Sequence, residues 1–244
     1  MNFHIVTIFP DMFVSYFSES IISRAIENKI INLNTYALRE YTTDKHRRVD
    51  GKPYAGGPGM VMWVEPIINN VEQIKEKIEK RILKENSKIE KLESKTGKKI
   101  KRVKSKLKIV ILSPGAKEFT NSVAKETADK YTDVIFICGR YEGIDARVKK
   151  ILKAEEWTVG PYILTGGELP AMICIDAISR QIKGVLHDEE SIEENRVSSH
   201  EIYGRPEIFK HKNKNYKVPA VLLSGNHKLI EEWKISTKDS TKEK

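Results

Sequence analysis

Short apolar runs alternate with longer amphipathic stretches along most of this chain. Runs with the length and residue types of β-strands occur at Phe3–Phe9, Ile31–Ala37, Lys108–Leu112, Asp133–Cys138 and Trp157–Leu164, the last of them broken by glycine. Helical patterns occur at residues 11–27, 119–130, 145–152 and 168–182, with Asp11 as a candidate N-cap of the first. Strands that alternate with helices predict an α/β fold with a mostly parallel sheet and helices on both faces.

A further helical pattern is much more polar than the others. Its apolar positions recur at helical spacing with charged residues between them: Val71, Ile74, Ile78, Ile82, Ile89 and Leu92. They predict an amphipathic helix that runs out from the body of the domain and ends at Thr96-Gly97. The lysine-rich residues 98–108 then lead back to the next strand.

The positive charge of the protein is concentrated in this region. Segment 75–108, which we call the basic insert, has fifteen Lys/Arg and five Glu, a balance of +10, whereas the whole chain has a net charge of +9. The other residues are therefore close to neutral, with 28 basic and 29 acidic side chains. Such a segment favours contact with a phosphate backbone, and a solvated lysine-rich helix is the alternative.

Two polar stretches contain no clear strand or helix pattern. Residues 40–59 form a glycine-rich loop, and a loop of that length inside a compact domain is usually functional or disordered. Residues 185–215 are polar and irregular, a final helix is predicted at residues 226–236, and the last residues are expected to fray.

Composition excludes several classes of protein. No apolar run approaches the roughly 20 residues that span a membrane, and the N-terminus lacks the basic region of a signal peptide. Cys138 and Cys174 lie inside apolar segments and are expected to be reduced, buried thiols, as in cytoplasmic proteins. No Cys/His spacing indicates a metal site. The chain is therefore expected to be cytoplasmic, with no membrane partner.

Glycine-bearing turns follow three of the predicted strands. They lie at residues 113–115, at residues 139–143, and at Gly160 together with Gly166-Gly167. In parallel sheets ligands bind beyond the carboxyl ends of the strands, and glycine lets the main chain approach them closely. None of the turns fits G-x-G-x-x-G or a P-loop, so a neutral or zwitterionic ligand is favoured over a phosphate. Ordinary strand-to-helix turns are the alternative.

Three longer motifs contain these glycines: PYAGGPGMVM at residues 53–62, CGRYEGID at 138–145 and LTGGELPAM at 164–172. Together with IFPDMF near the N-terminus, HRRVD at 46–50 and VLLSG at 221–225, they resemble the motifs of the bacterial tRNA (guanine-N1)-methyltransferases. The resemblance covers nearly the whole chain except part of the basic insert and the C-terminus.

The resemblance implies both architecture and activity. It implies a trefoil-knotted methyltransferase domain of the SPOUT class at residues 1–184, a flexible linker at 185–202 and a small, truncated, helical tRNA-binding domain at 203–244. It also implies a homodimer with the active site at the subunit interface, and S-adenosylmethionine as the methyl donor. The methyl group would go to N1 of the guanine just 3′ of the tRNA anticodon (position 37). The family is associated with Mg²⁺ as well.

The resemblance also assigns cofactor contacts position by position. These are Leu112, Ser113, Pro114, Gly139, Tyr141, Glu142, Val159, Gly160, Pro161, Tyr162, Ile163, Leu164, Gly166, Gly167 and Pro170. Pro161 stands where many members have Asp, which removes a backbone donor and a carboxylate from this position.

Arg180 matches the catalytic arginine of the family. Negative charge develops on guanine when N1 loses its proton, and a guanidinium near O6 would stabilise that charge. The partner subunit's Asp50 would orient Arg180. Without the resemblance, Arg180 is simply a cation late in a helix, where the helix dipole favours it.

The general base is where this chain departs from the family pattern. The family's Asp falls on Asn195, which cannot accept a proton at neutral pH. A shift of one residue brings Glu194 into the role, with Glu193 and Asp188 behind it. The departure leaves open a degenerate relative that binds tRNA or S-adenosylmethionine without turnover. An unrelated nucleotide-binding interaction module is a third interpretation.

Two further departures concern the tRNA. The chain ends soon after Trp233, where typical members continue into a basic helical tail, and the family lacks the basic insert. The hypothesis that joins these departures is that the insert holds tRNA phosphates in place of the tail.

Overall fold

A computed structural model describes residues 1–54, 56–186 and 201–239 of the chain. The chain divides into two compact units, Met1–Leu186 and His187–Lys244. No helix in the described ranges is long and apolar enough to cross a membrane.

The first unit is built on a parallel five-stranded sheet. Its strands are β1 (Asn2–Thr7), β2 (Asn32–Ala37), β5 (Leu107–Glu118), β6 (Asp133–Cys138) and β7 (Glu155–Thr158). Their spatial order is β2-β1-β6-β5-β7, and every neighbouring pair is parallel. Two short strands, β3 (Asp50–Gly51) and β4 (Val61–Met62), form a separate antiparallel pair. The prediction of a mostly parallel α/β sheet is confirmed.

Helices cover both faces of this sheet. They are α1 (Val14–Phe17), α2 (Ser20–Glu27), α3 (Val64–Thr96), α4 (Asn121–Lys130), α5 (Arg147–Leu152) and α6 (Glu168–Arg180), with 3-10 turns at Pro10–Phe13 and Leu38–Glu40. One core cluster joins α2, α4 and α6 to one face of the sheet, and the second joins α3 and α5 to the other. The central strand β6 faces both clusters, which is why all six of its residues are buried and apolar residues dominate it.

Three elements differ from the pattern predictions. Residues 11–27 are not one helix, because Ser20 has a φ of 58°, a left-handed conformation that no continuous right-handed helix contains. Asp11 is therefore not an N-cap and lies inside the 3-10 turn. Strand β5 continues beyond Leu112 through a shift of register, and β7 ends at Thr158 instead of Leu164.

The long helix α3 has two halves with different environments. Its first half packs against the sheet through Ile67, Val71, Ile74 and Ile78, which are buried. Its second half carries the exposed charges of the basic insert and ends where predicted, at Gly97, with a left-handed φ of 68°. Residues 98–106 have no regular secondary structure and return to β5.

The second unit contains a hairpin and two helices. The hairpin is formed by β8 (Ile208–His211) and β9 (Lys214–Lys217), and the helices are α7 (Ala220–Leu223) and α8 (His227–Asp239). The prediction of irregular structure through residue 215 is wrong for the hairpin, whose strand residues are all exposed and show no regular alternation of apolar and polar positions. Helix α8 runs three residues past the predicted end at Ser236.

Candidate functional site

A cavity of about 460 Å³ lies beside the middle of β5 and beyond the ends of β6 and β7. Its walls come from residues 111–114 of β5, from the loops that follow β6 and β7, and from the first turn of α6. The volume lies within the range of small-molecule sites, and the place is the one where parallel sheets bind ligands.

Most of the predicted cofactor residues line this cavity. They are Leu112, Ser113, Pro114, Gly139, Tyr141, Glu142, Val159, Tyr162, Ile163, Leu164, Gly166, Gly167 and Pro170. Gly160 and Pro161 belong to the same loop but are not part of the lining. Gly160 is buried under the ring of Tyr162, which occupies the space a Cβ would need, and Pro161 is exposed. The role of these residues as cofactor contacts stays a prediction.

The turn at Gly167 lies directly against the end of β6. The Gly167 N–H donates to the carbonyl of Gly139 at 2.8 Å. A Cβ on Gly167 would lie 2.8 Å from both the Cα of Cys138 and the backbone nitrogen of Gly139. Because both neighbours are backbone atoms, no side chain can fit there without moving the loop.

A buried ion pair, which the pattern analysis missed, supports the same turn. Glu168 is fully buried and accepts hydrogen bonds from Thr7 Oγ1 and from Arg140 Nε, each at 2.8 Å. Arg140 also donates from Nη1 to the carbonyl of Thr165 at 3.2 Å, and its guanidinium lies 4.8 Å from the ring centre of Phe9. These contacts hold the loop before α6 to the ends of β1 and β6.

One signal for this pair was present in the sequence. Arg140 and Glu168 each adjoin a glycine turn that the pattern placed at the same edge of the sheet. Opposite charges in two such turns are candidates for pairing, although periodicity alone does not show that either side chain points inward.

The glycine-rich motif at residues 53–62 supports the motif at 138–145 through backbone hydrogen bonds. The N–H of Glu142 donates to the carbonyl of Met60 at 3.0 Å, and the N–H of Met62 donates to the carbonyl of Gly143 at 3.0 Å. Gly59 has a φ of 82° and passes so close to the Glu142 side chain that a Cβ would overlap it. The motif at 53–62 therefore holds a cavity wall in place.

Both cysteines are free and buried, as predicted. Burial, with the nearby charge of Glu168, raises the pKa of the Cys138 thiol well above its usual value. Burial also raises the pKa of Cys174. Both thiols are therefore protonated and unreactive at neutral pH.

Of the candidate catalytic residues, the structure describes Arg180 and Asp50. Arg180 is the last residue of α6, is half-buried, and forms no hydrogen bond or ion pair with any residue that the structure describes. Glu168, at the cavity, begins the same helix, so the two residues are about 18 Å apart along its axis. Asp50 is half-buried in β3. Glu194 and Asn195 lie outside the described residues.

Metal ligands are not grouped in the described part of the chain. No cluster of three or more His, Cys, Asp or Glu there could hold a metal ion. The residues described around the cavity therefore do not fit a Mg²⁺ site, because Mg²⁺ takes several oxygen ligands in octahedral geometry.

Comparison with known proteins identifies the family. A sequence model of the family described as tRNA (Guanine-1)-methyltransferase TrmD matches residues 1–244, which is wider than the coverage the motifs indicate. The tRNA (guanine-N(1)-)-methyltransferase of Clostridioides difficile is 41% identical over 238 residues, covering 96% of this chain and 90% of that protein. The protein of the same name from Ruminiclostridium cellulolyticum is 39% identical over 249 aligned residues, covering 100% and 94%. That from Buchnera aphidicola is 41% identical over 237 residues, covering 96% and 87%.

These matches agree with the arrangement of the three motif loops, two of which line one cavity while the third braces its wall. The chain belongs to the tRNA (guanine-N1)-methyltransferase family.

Proposed function

We propose that this protein transfers a methyl group from S-adenosylmethionine to N1 of the guanine just 3′ of the tRNA anticodon (position 37). The observation that carries the proposal is the cavity beside β5 and beyond the ends of β6 and β7, together with the family match over residues 1–244. Under this proposal residues 1–184 are the knotted methyltransferase domain, 185–202 the linker and 203–244 the tRNA-binding domain.

The cavity is chemically suited to S-adenosylmethionine. Apolar side chains such as Leu112, Ile163 and Leu164 offer a surface for the adenine ring, and the glycine turns expose backbone groups that can bind its edge. Glu142 also lines the cavity, and its carboxylate has no hydrogen-bond or ion-pair partner in the ranges that the structure describes. A carboxylate without a partner complements the positive charges of the ligand, its ammonium or its sulfonium.

The proposed reaction needs one base and one positive charge. The base removes the proton from guanine N1, the N1 lone pair attacks the methyl carbon, and the bond from that carbon to sulfur breaks. S-adenosylmethionine, when bound, supplies the electrophilic methyl group and leaves as the neutral thioether. Arg180 stabilises the negative charge that develops on the purine, and the partner subunit's Asp50 orients it.

The proposal includes a homodimer, supported by an exposed apolar surface on one side of the first unit. The exposed residues of this surface are Phe9, Met12, Val14, Tyr16, Leu169 and Ile173. Tyr16 donates to Asp176 of α6 at 2.7 Å, a hydrogen bond that raises the pKa of Tyr16 to about 12 and joins the two parts of the surface. A group of exposed apolar side chains of this kind is typical of a protein interface.

The length of α6 explains why catalysis would need this interface. The cavity lies at its first residue and Arg180 at its last, too far apart in one chain for a single ligand to touch both ends easily. A second copy packed antiparallel along α6 would bring its own Arg180 toward the cavity of the first. The isologous contact of a two-fold dimer has this property.

The activity test uses two tRNA transcripts, one with guanine 3′ of the anticodon and one with that base changed. We expect methyl transfer from labelled S-adenosylmethionine to the first transcript only. Methylation of both transcripts would contradict the position, and cofactor binding without methylation would support the degenerate relative instead.

The general base is tested in the same assay under single-turnover conditions. We propose Glu194 as the base, so Glu194→Gln should slow methylation about 100-fold or more. Asn195→Asp is the matched variant, because it restores the family's carboxylate and should not slow the reaction. An unchanged rate for Glu194→Gln would rule out Glu194.

A further inference from the structure

The basic insert carries lysines that have no acidic partner. They are Lys84, Lys88, Lys91, Lys95, Lys98, Lys99, Lys101, Lys104 and Lys106, and none of their ammonium groups makes a hydrogen bond or ion pair in the part of the chain that the structure describes. Most other basic residues of the insert are engaged, for example Arg81 with Asp133 and Lys108 with Glu155. The unpartnered charge is therefore confined to residues 84–106.

The returning residues 98–106 cover one face of α3. Asn86 forms two hydrogen bonds with the backbone of Val103, at 2.8 and 3.0 Å. Glu93 accepts from the N–H of Ile100 at 2.7 Å and pairs with Arg102 at 3.1 Å, and Glu90 pairs with Arg102 at 3.5 Å. The face that bears Asn86, Glu90 and Glu93 is thus already occupied by the protein itself.

Four of the lysines lie on the opposite face. Lys84, Lys88, Lys91 and Lys95 are spaced by four, three and four residues, so they lie in line on one side of the helix. Asn86 and Glu93 are each two residues from a member of this line, which is about 200° around the helix. These four residues, the lysine stripe, are exposed and extend over about 16 Å.

The insert is attached to the sheet at both of its ends. Asp133, the first residue of β6, is fully buried and accepts from Arg81 Nη2 at 2.9 Å and from Ser105 Oγ at 2.8 Å. Arg81 precedes the lysine stripe and Ser105 follows it, so one carboxylate anchors both segments. A charged surface held in this way binds with less loss of conformational entropy than a free lysine-rich tail.

We propose that the lysine stripe binds the phosphate backbone of the tRNA substrate, an inference that rests on the proposed function. Charge complementarity selects this partner, because four aligned ammonium groups suit a row of phosphates. The carboxylates beside them, Glu85 and Glu90, pair with Arg81 and Arg102 instead. The stripe extends beyond the amino edge of the sheet, where Asp133 lies, whereas the cavity lies at the carboxyl edge. It therefore contacts tRNA away from the methylated guanine and contributes to binding, not to chemistry.

The test compares two variants with the same change of charge. The first replaces Lys84, Lys88, Lys91 and Lys95 with Gln, and the control replaces Lys98, Lys99, Lys101 and Lys104 with Gln. Binding of the tRNA transcript is measured between 50 and 200 mM salt. Loss of up to four phosphate contacts should flatten the slope of log Kd against log salt by about 3 in the first variant. The control should change the slope much less.

Kinetics and folding complete the test. The stripe variant should raise the KM for tRNA about tenfold or more, with kcat and S-adenosylmethionine affinity unchanged, which also shows that it is folded. Equal losses in both variants, or an unchanged salt slope, would overturn the proposal. So would stripe-dependent binding to phosphatidylserine vesicles with unaltered tRNA binding. If the wild-type protein binds tRNA through the stripe but does not methylate it, the proposed function fails and this inference stands.

Discussion

At Gly167 the lack of a side chain brings two walls of the cavity into contact. The Gly167 N–H is bonded to the Gly139 carbonyl, and a Cβ would lie 2.8 Å from the Cα of Cys138. We expect Gly167→Ala to displace the start of α6 and to lower the affinity for S-adenosylmethionine about tenfold or more, which is at least about 1.4 kcal/mol. Isothermal titration of the cofactor measures this change.

Gly115→Ala is the matched control for this substitution. Gly115 lies in β5 next to the lining residue Pro114, and a Cβ there would have no atom within 4 Å. Its cofactor affinity should stay within about twofold of wild type. If both alanine variants bind equally well, the close approach at Gly167 does not shape the site.

Other single residues show which features of individual side chains can be predicted from the sequence alone. The glycines could be recognised because a turn that passes close to other atoms has no room for a Cβ, and the motifs containing them identified the family. The pairing of Arg140 with Glu168 could not be recognised in the same way. A buried pair depends on the direction of two side chains that are 28 positions apart, and no local pattern contains that information.

Helix α3 shows the two roles that one element can combine. Its first half is part of the core, and its second half projects away with the basic insert. Asp133 joins α3 and the returning residues 98–106 to the sheet through Arg81 and Ser105, and also accepts hydrogen bonds from Thr132 and His4. Burial alone would raise the pKa of Asp133, but these hydrogen bonds and the charge of Arg81 lower it.

Asp133→Asn should therefore weaken both the fold and the position of the insert. Removing the negative charge leaves the donors around it poorly matched, and we expect the free energy of unfolding at neutral pH to fall by about 2–3 kcal/mol. Chemical denaturation measures the change. Asp129→Asn, on the exposed side of α4, should leave stability nearly unchanged.

The loss of stability caused by Asp133→Asn should depend on pH. Because the folded-state pKa of Asp133 is lowered, its stabilising contribution is complete above the unfolded pKa of about 3.9. That contribution is lost as the pH falls below this value toward the folded-state pKa. The stability difference between wild type and Asp133→Asn should therefore shrink in acid. A constant difference from pH 7 to pH 3 would show that the Asp133 charge is not responsible.

The elements that the sequence pattern placed correctly are those with a clear apolar run or a clear end signal. Strand β6 and the end of α3 at Gly97 match the prediction closely, because burial and a glycine cap leave clear marks in the sequence. The hairpin of β8 and β9 was missed because its residues are exposed. Its pairing comes from backbone hydrogen bonds and a two-residue turn, which require no apolar alternation.

For the whole molecule, the proposed dimer makes the clearest prediction. Ile173 lies on the exposed side of α6 within the apolar surface, with 40% of its surface accessible. Ile173→Glu would bury two like charges near each other across a two-fold interface, so we expect it to separate the dimer. Light scattering should give a mass near twice 28.0 kDa for wild type and near 28.0 kDa for the variant.

Leu92→Glu is the control, because Leu92 is also exposed, with 50% of its surface accessible, but lies in the basic insert. It should leave the mass of the assembly unchanged. The dissociated Ile173→Glu protein should also lose methylation, since Arg180 and the cavity lie at opposite ends of α6. Full activity in a monomer would contradict the proposal that the active site needs both subunits.

The sequence by itself determined the α/β class, the family, the three motif loops and the segment that holds the excess positive charge. Periodicity, glycine positions and net charge are local properties, and each can be read from neighbouring residues. Only the tertiary structure decided which groups converge: the loops around one cavity, Arg140 on Glu168, and both ends of the insert on Asp133. It also separated the covered face of α3 from the lysine stripe, because that distinction depends on where the returning chain packs.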